Sequence, residues 1–329
     1  MIEDTLSPRT ISNVEEVLLK ADEQKHELAA DVFVSRAGNN LRYRRLGQLV
    51  SITTPCLQIG IVQDDEDQRG RQTSADSSFL SLEVDAAIAR IDVLVRERAR
   101  SGTNAVSLVV DVSCLSRTVQ GKIFAALSTW AGVVDVKLHI GYSLSRYLTP
   151  PRTWARSITP AESVDPFFAG WGAPDLPIHV VTGLGYESGK AIGIVQLIEP
   201  SKCTSLIPTS PEGSFLIAVE NQNRDFLKLF PSAIMYEVLQ PARTYLSLVS
   251  MISGILRDHR AILLPFGPKI LFSLSLLISL MFREISVWHT KGEDNRQGDL
   301  SAPSDYGCLF SCLVSSPRTS DVRPDEAKA

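Results

Sequence analysis

Apolar residues along this 329-residue chain occur in two alternating patterns, short continuous runs and longer segments with helical spacing. The run 106–111 is nearly all apolar, which is typical of a strand buried on both faces of a parallel sheet. Further strands are predicted at 134–141, 177–182, 203–207, 234–238, 261–265 and 285–289, and helices at 117–130, 188–198, 221–229, 242–257 and 269–282. This alternation predicts right-handed βαβ crossovers and an α/β protein with a doubly wound, mostly parallel Rossmann-like sheet.

The first hundred residues have a weaker pattern. Apolar residues at helical spacing predict a helix over 12–29, with Ser12 or Asn13 as its N-cap. Short β-branched runs predict strands at 31–35, 49–53 and 57–63, and the polar segment 64–78 is expected to be a loop. A second amphipathic helix is expected over 80–100.

A proline-rich segment divides the chain. Six prolines and several aromatic residues fall within 149–177, so this segment is expected to be a connector between two lobes or a lid over a site. We therefore expect an N-terminal α/β lobe over 1–148 and a C-terminal Rossmann-like lobe over 178–290. The tail 291–329 is polar apart from 308–314 and is expected to be largely disordered.

Composition narrows the function classes. The formal net charge is −4, so no overall basic field favours dedicated DNA binding. The acidic N-terminus and five scattered cysteines favour a cytoplasmic protein without a disulfide framework or a metal site. The apolar run 270–282 is shorter than the roughly 20 residues that a membrane-spanning helix needs, so we expect a buried helix and no membrane partner.

Three cations stand at unusual positions. Arg117, Lys190 and Lys269 each fall in the first turn of a predicted helix, where the positive end of the helix dipole disfavours a cation. Because these helices follow strands of one sheet, the cations could converge on a nucleotide-like anion at the strand ends. The alternative is that their side chains turn into solvent or pair with Asp111 and Glu187.

Asp111 and Glu187 are the candidate carboxylates. They could hold ribose or base hydroxyls, or one could act in a nucleotide hydrolase or glycosidase. The alternative is structural, because Asp111 could cap the next helix and Glu187 could simply occupy a favourable first turn. The remaining candidate ligand-binding residues lie beside these groups, namely Ser113, Gly183, Gly185, Asn221 and Gly267.

Two further features have competing interpretations. The segment 183–191 differs from a P-loop, because five residues separate Gly183 from the Gly189–Lys190 pair and Ala191 replaces the Ser or Thr that holds magnesium. A basic cluster could contact phosphate or RNA, or could form a solvated hairpin; it comprises Arg36, Arg42, Arg44 and Arg45 with Tyr43.

Short motifs at 111–117, 185–191 and 265–269 resemble a loosely defined set of bacterial α/β proteins of unassigned activity. The last motif, in which Gly267 and Lys269 open a helix, is also similar to the Gly-x-Lys turn of CRISPR-associated Rossmann-fold (CARF) sensor domains. That resemblance implies a cyclic-oligonucleotide ligand and a role in antiviral defence. It departs from the CARF pattern Thr-Gly-Gly-Thr-Lys, because proline occupies two of the five positions here.

These observations lead to three hypotheses. The first is a protein that binds a nucleotide or nucleotide-derived anion and acts as a sensor or accessory subunit, with no identified cofactor. The second is a hydrolase or glycosidase that uses Glu187 or Asp111. The third is a structural subunit of a complex or homo-oligomer, with helix 270–282 and the proline-rich segment as docking surfaces.

Overall fold

A computed structural model describes residues 7–38, 40–63, 79–149, 160–186, 189–290 and 302–317. The strands are β1 (Thr10–Lys20), β2 (His26–Leu28), β3 (Val32–Arg36), β4 (Val50–Ile52), β5 (Leu57–Ile61), β6 (Leu80–Leu82), β7 (Ala105–Asp111), β8 (Asp135–Ser145), β9 (Ala161–Ser163), β10 (Ile178–Gly183), β11 (Lys202–Thr209), β12 (Ala233–Glu237), β13 (Arg260–Pro265), β14 (Ser286–Thr290) and β15 (Pro303–Ser315). The helices are α1 (Arg45–Leu49), α2 (Val84–Arg100), α3 (Arg117–Ala131), α4 (Lys190–Ile198), α5 (Gly213–Gln222), α6 (Arg224–Leu229), α7 (Pro241–Ile255) and α8 (Lys269–Met281). The α/β class is thus confirmed.

Two large sheets organise these elements. The seven-stranded sheet has the order β1-β15-β8-β7-β3-β5-β6, and its strands from β8 to β6 are parallel. The six-stranded sheet has the order β12-β11-β10-β13-β14-β9 and is parallel apart from β9. Strands β2 and β4 form a separate parallel pair.

The two sheets repeat one topology. Numbered within its own half, each contains five parallel strands in the order 3-2-1-4-5: β3, β5, β6, β7 and β8 in the first, and β10 to β14 in the second. In this order the chain reverses its direction of travel between strands 1 and 4, and a crevice opens there at the carboxyl ends. Each half therefore has a crevice of its own, at β3/β7 and at β10/β13.

Helix α8 lies in the centre of the core. Every residue from Ile270 to Leu280 is buried, and the helix packs on α3, α7 and strands of both sheets. A helix that is apolar on all sides is expected to be enclosed in this way. The helix cannot be a docking surface, so that part of the structural-subunit hypothesis is wrong. In the portions of the chain with described structure, no helix has both the length and the apolarity that crossing a membrane requires.

The helix predicted over 12–29 is wrong. Residues 10–20 form β1, which pairs antiparallel with β15, and a register irregularity falls between Ser12 and Glu15. Asn13 adopts a φ of 52° within that irregularity. Pairing with a strand almost 300 residues away outweighs the local helical spacing, because the ladder satisfies the backbone and its tertiary contacts decide the conformation.

The tail 291–329 also differs from expectation in part. Strand β15 lies between β1 and β8 inside the seven-stranded sheet. Cys308, Phe310, Cys312 and Val314 alternate along it and are buried in the core. This period of two is the signature of a strand, so 303–315 is an ordered part of the fold.

The described part of the proline-rich segment packs against the second sheet. Strand β9 extends that sheet beyond β14, and a 3-10 helix follows over Pro166–Phe168. Phe168 is fully buried, and the Arg283 guanidinium lies 3.8 Å from the centre of the Phe167 ring. Residues 160–177 therefore help to build the edge of the sheet. Residues 150–159, like the predicted loop 64–78, lie outside the described residues.

Candidate functional site

A pocket of about 110 Å³ lies where the carboxyl ends of strands from both sheets meet. The first half contributes residues from the segment after β3, the start of α3 and the end of β8. The second half contributes the residues that follow β10, β11, β12 and β13. The pocket thus occupies the crevice of the second half, where ligands bind in open α/β sheets, and the first half forms its opposite wall.

Two glycine turns form the base of this crevice. Gly267, after β13, has a φ of 82°, and a Cβ atom on it would lie 2.5 Å from the Leu184 carbonyl oxygen. A Cβ on Gly183 would lie 2.6 Å from the Phe266 carbonyl oxygen. Glycine is needed at both positions because the turns after β10 and β13 press against each other.

A buried asparagine fixes the first of these turns. The Asn223 side-chain nitrogen donates to the Gly185 carbonyl at 2.6 Å and to the Val219 carbonyl at 2.8 Å. Asn223 is 4% exposed, so both bonds are shielded from water. The amide holds Gly185 at the pocket wall by tying it to α5.

Three cations reach the pocket from three different segments. Arg117 is the first residue of α3, and its Nη2 donates to the Gly267 carbonyl at 3.0 Å across the two halves. Arg42 is buried, and its Nη2 lies 3.5 Å from the Ser143 carbonyl oxygen. Lys269 is the first residue of α8, a helix whose N-terminus has no side-chain cap. All three line the pocket, which is therefore suited to an anion.

Asp111 lies beneath this cationic wall. One oxygen, Oδ1, accepts from the Ser113 amide at 3.0 Å and from the Ser113 hydroxyl at 2.5 Å. The Ser113 hydroxyl in turn accepts from the Ser143 amide at 2.7 Å. Burial raises the pKa of Asp111 to about 6, although the Ser113 bonds and the charges of Arg42 and Lys269 act in the opposite direction. Through Ser113, the carboxyl group thus joins the ends of β7 and β8.

Aromatic side chains form another wall. The rings of Tyr186 and Phe215 stack with centroids 6.3 Å apart and an interplanar angle of 26°. Tyr147 packs edge-on against Phe215 at 5.3 Å. Burial raises the pKa of Tyr142, which also lines the pocket, to about 12. The Tyr142 phenol is therefore neutral near pH 7, and the wall offers ring faces and hydroxyl groups.

The structure brings some of the predicted site residues together. Arg117, Gly185, Gly267 and Lys269 line the pocket. Asp111 and Ser113 are not part of the lining, but the Ser113 hydroxyl donates to Asp111 and accepts from the amide of Ser143, the residue between Tyr142 and Leu144 of the lining. Gly183 ends β10 where it packs against the turn after β13.

Other predicted residues lie elsewhere or beyond description. The Lys190 ammonium group lies 5.3 Å from the centre of the Phe266 ring, and Lys190 is not part of the pocket lining. Asn221 is exposed and accepts from Arg224 at 3.1 Å. Glu187 lies outside the described residues.

Sequence reasoning missed Arg42, Tyr186 and Phe215 as parts of the site, and it chose Asn221 over its neighbour Asn223 from one polar cluster. The sequence gives some indication of Arg42, because it belongs to the basic cluster that begins at Arg36. It does not indicate which arginine of that cluster turns inward. The aromatic residues carried none, since isolated rings in an α/β chain are more often part of the core.

Metal-binding groups are sparse. Within the ranges that the structure describes, no three His, Cys, Asp or Glu side chains are placed to hold a metal ion. None of the five cysteines, all of which lie within these ranges, forms a disulfide.

No protein-family model matches the chain, and no curated protein sequence matches it. The similarity of Gly267 and Lys269 to a CARF turn therefore stays a prediction.

Proposed function

We propose that the chain binds a nucleotide or nucleotide-derived anion in the pocket between its two sheets and acts as a sensor or accessory subunit. One observation carries the proposal: Arg42, Arg117 and Lys269 converge on a pocket that stacked Tyr186 and Phe215 also line. The repeated 3-2-1-4-5 strand order supports a Rossmann-like, doubly wound fold in each half, with the pocket at the crevice of the second.

The cationic wall suits phosphate. Arg117 and Lys269 each begin a helix, so backbone N–H groups and a side-chain cation point at the same region. The α8 N-terminus has no side-chain cap and begins directly after the Gly267 turn, which lets an anion oxygen approach its backbone. A bound phosphate would offset the unfavourable placement of a cation at each helix start.

The aromatic wall suits a base. A nucleic-acid base gains about 1–3 kcal/mol by stacking on an aromatic side chain, and this gain depends little on which base it is. Tyr186 and Phe215 provide such a surface in the pocket that the cations also line. A ligand that carries both a ring and a phosphate uses both walls, whereas inorganic phosphate uses only one.

The position of Asp111 favours binding over hydrolysis by this residue. Asp111 is 3% exposed, and its carboxyl group already accepts two bonds from Ser113. A general base must reach the proton that it removes, either directly or through one water molecule. Asp111 holds the pocket wall in place instead. The substitution Glu187→Gln tests the remaining candidate carboxylate. If the variant still binds the nucleotide but no longer hydrolyses it, the protein is an enzyme.

A thermal-shift screen tests the proposal. The purified chain is heated with mononucleotides, dinucleotides or cyclic oligonucleotides, with and without magnesium. A ligand at about 100 times its Kd stabilises the folded state by about 2.7 kcal/mol. No shift with any of these compounds would contradict the proposal.

Two lysine variants locate the site. Lys269→Ala is expected to weaken binding by roughly tenfold or more, since a hydrogen bond to a charged group contributes about 1.5–3 kcal/mol. Lys190→Ala is the matched control, because Lys190 also begins a helix after a strand but lies outside the pocket lining. Equal effects of the two substitutions would show that the ligand binds elsewhere.

A further inference from the structure

A second and larger cavity, of about 450 Å³, lies against one face of the seven-stranded sheet. Its floor consists of small or polar residues at alternating strand positions, including Ser35 on β3, Gln58 and Gly60 on β5, and Ser81 on β6. The intervening residues of β3 and β5 face the opposite side and belong to the hydrophobic core. Among the described residues, α1 and β4 also line the cavity.

Aromatic residues stand on the walls of this cavity. The rings of Phe33 and Phe79 meet edge to face, with centroids 6.2 Å apart and an interplanar angle of 78°. The Arg36 guanidinium lies 4.6 Å from the centre of the Tyr43 ring. This contact holds both an aromatic face and a positive charge at the cavity wall.

Three cations belong to the described lining of this cavity. Lys25, Arg36 and Arg44 line the cavity, and its described lining contains no Asp or Glu. The chain as a whole has a formal net charge of −4, so the grouping of these three cations is not a consequence of the overall composition.

We propose that this cavity is a second binding site, separate from the pocket between the sheets, for a small organic anion that carries a flat ring. The ring packs against Phe33, Phe79 and Tyr43, and the anionic group lies toward Lys25, Arg36 and Arg44. The basic cluster of the sequence is thereby divided between two sites, since Arg42 lines the first pocket while its neighbours Tyr43 and Arg44 line the second.

Two dyes with similar rings and different charge test the site. The probe 1-anilinonaphthalene-8-sulfonate is a ring-bearing anion whose fluorescence rises in an apolar pocket. N-phenyl-1-naphthylamine has the same rings without the sulfonate. Both are titrated into the full chain, and far-ultraviolet circular dichroism confirms that each variant is folded.

Gly47→Phe closes the cavity with little structural cost. Gly47 is an exposed residue of α1 that lines the cavity, and no atom lies within 4 Å of a Cβ built on it. Gly254 on α7 is also exposed and open, so Gly254→Phe adds the same side chain away from the cavity. Gly47→Phe is expected to lower the affinity for the sulfonate dye by roughly tenfold or more, and Gly254→Phe is expected to leave it unchanged.

A charge variant provides a second measurement. Arg44→Gln is expected to lower the affinity for the sulfonate dye by roughly tenfold and to change the affinity for the neutral dye by no more than about twofold. Three results would each overturn the proposal: no binding of the sulfonate dye, unchanged affinity in Gly47→Phe, or a loss caused by Phe215→Ala in the first pocket rather than by Gly47→Phe.

Discussion

Replacing Gly267 with alanine tests the geometry on which the pocket depends. The residue has a φ of 82°, and a Cβ on it would lie 2.5 Å from the Leu184 carbonyl oxygen and 3.4 Å from the Gly185 Cα. Both obstacles are backbone atoms of the neighbouring turn, so no side-chain rotation can relieve the overlap. The variant must therefore move one turn away from the other or leave the left-handed region.

The size of the effect follows from two costs. The left-handed conformation costs a non-glycine residue about 1–2 kcal/mol. Overpacking at a tight contact costs about 1–3 kcal/mol more. Gly267→Ala is therefore expected to lower the free energy of unfolding by about 2–5 kcal/mol, a large share of the roughly 5–15 kcal/mol typical of a folded protein.

Two other glycines separate these costs. Gly189 has a φ of 77° with no atom within 4 Å of its Cβ position, so Gly189→Ala is expected to show the conformational cost alone. Gly254 on α7 has neither a positive φ nor a close neighbour, so Gly254→Ala is expected to raise the free energy of unfolding by about 0.5–1 kcal/mol. Urea denaturation gives the free energy of unfolding of all three variants, provided that its slope against urea concentration is the same in each. If Gly267→Ala costs no more than Gly189→Ala, the close contact between the two turns is refuted.

Two further substitutions probe buried polar groups at the site. The pKa of Asp111 is raised to about 6, so the folded state holds this proton more tightly than the unfolded chain, and stability falls as pH rises from about 4 to about 6. The Asn side chain of Asp111→Asn can still accept both bonds from Ser113. The substitution is expected to raise the free energy of unfolding by up to about 3 kcal/mol at about pH 7 and by little at about pH 4. Equal increases at both pH values, measured by urea denaturation, would contradict this reasoning. Asn223→Ala leaves the buried Gly185 carbonyl without its donor and is expected to cost about 1–3 kcal/mol. A urea midpoint unchanged from wild type would refute the role of this amide.

The second half of the fold was accessible to sequence reasoning because its strands are parallel and buried. Such strands read as continuous apolar runs, and the prediction over 261–265 falls within Arg260–Pro265. The helix predicted over 269–282 coincides with Lys269–Met281 to within one residue. In both places local pattern and tertiary environment agree.

The first sheet was harder to predict because its decisive contacts are remote in sequence. Leu18 of β1 stands opposite Cys308 of β15, and no local signal records that pairing. Without it, the apolar spacing around Val14 and Val17 fits a helix better than a strand. Because β15 is so far from β1 in sequence, the ordered strand in the polar tail was not predicted either.

The candidate site divides along similar lines. Lys269 and Arg117 could be found because a cation at a helix start is locally unfavourable and therefore conspicuous. Arg42 could not be assigned, since it comes from an irregular segment that reaches the pocket only because β3 lies beside β7. Asn223 was passed over in favour of Asn221, because only tertiary packing decides which of two neighbouring side chains turns inward.

The shared topology explains why the two helix-start cations converge. Arg117 and Lys269 are equivalent, because each begins the helix that follows the fourth strand of its half. These helices pack together, and the Ser273 hydroxyl donates to Gln120 Oε1 at 2.7 Å between them. Each cation then acts across the junction: Arg117 donates to the Gly267 carbonyl of the second half, and the charge of Lys269 favours the ionised form of Asp111 in the first. An anion bound between them contacts both halves at once, so its binding energy also opposes their separation.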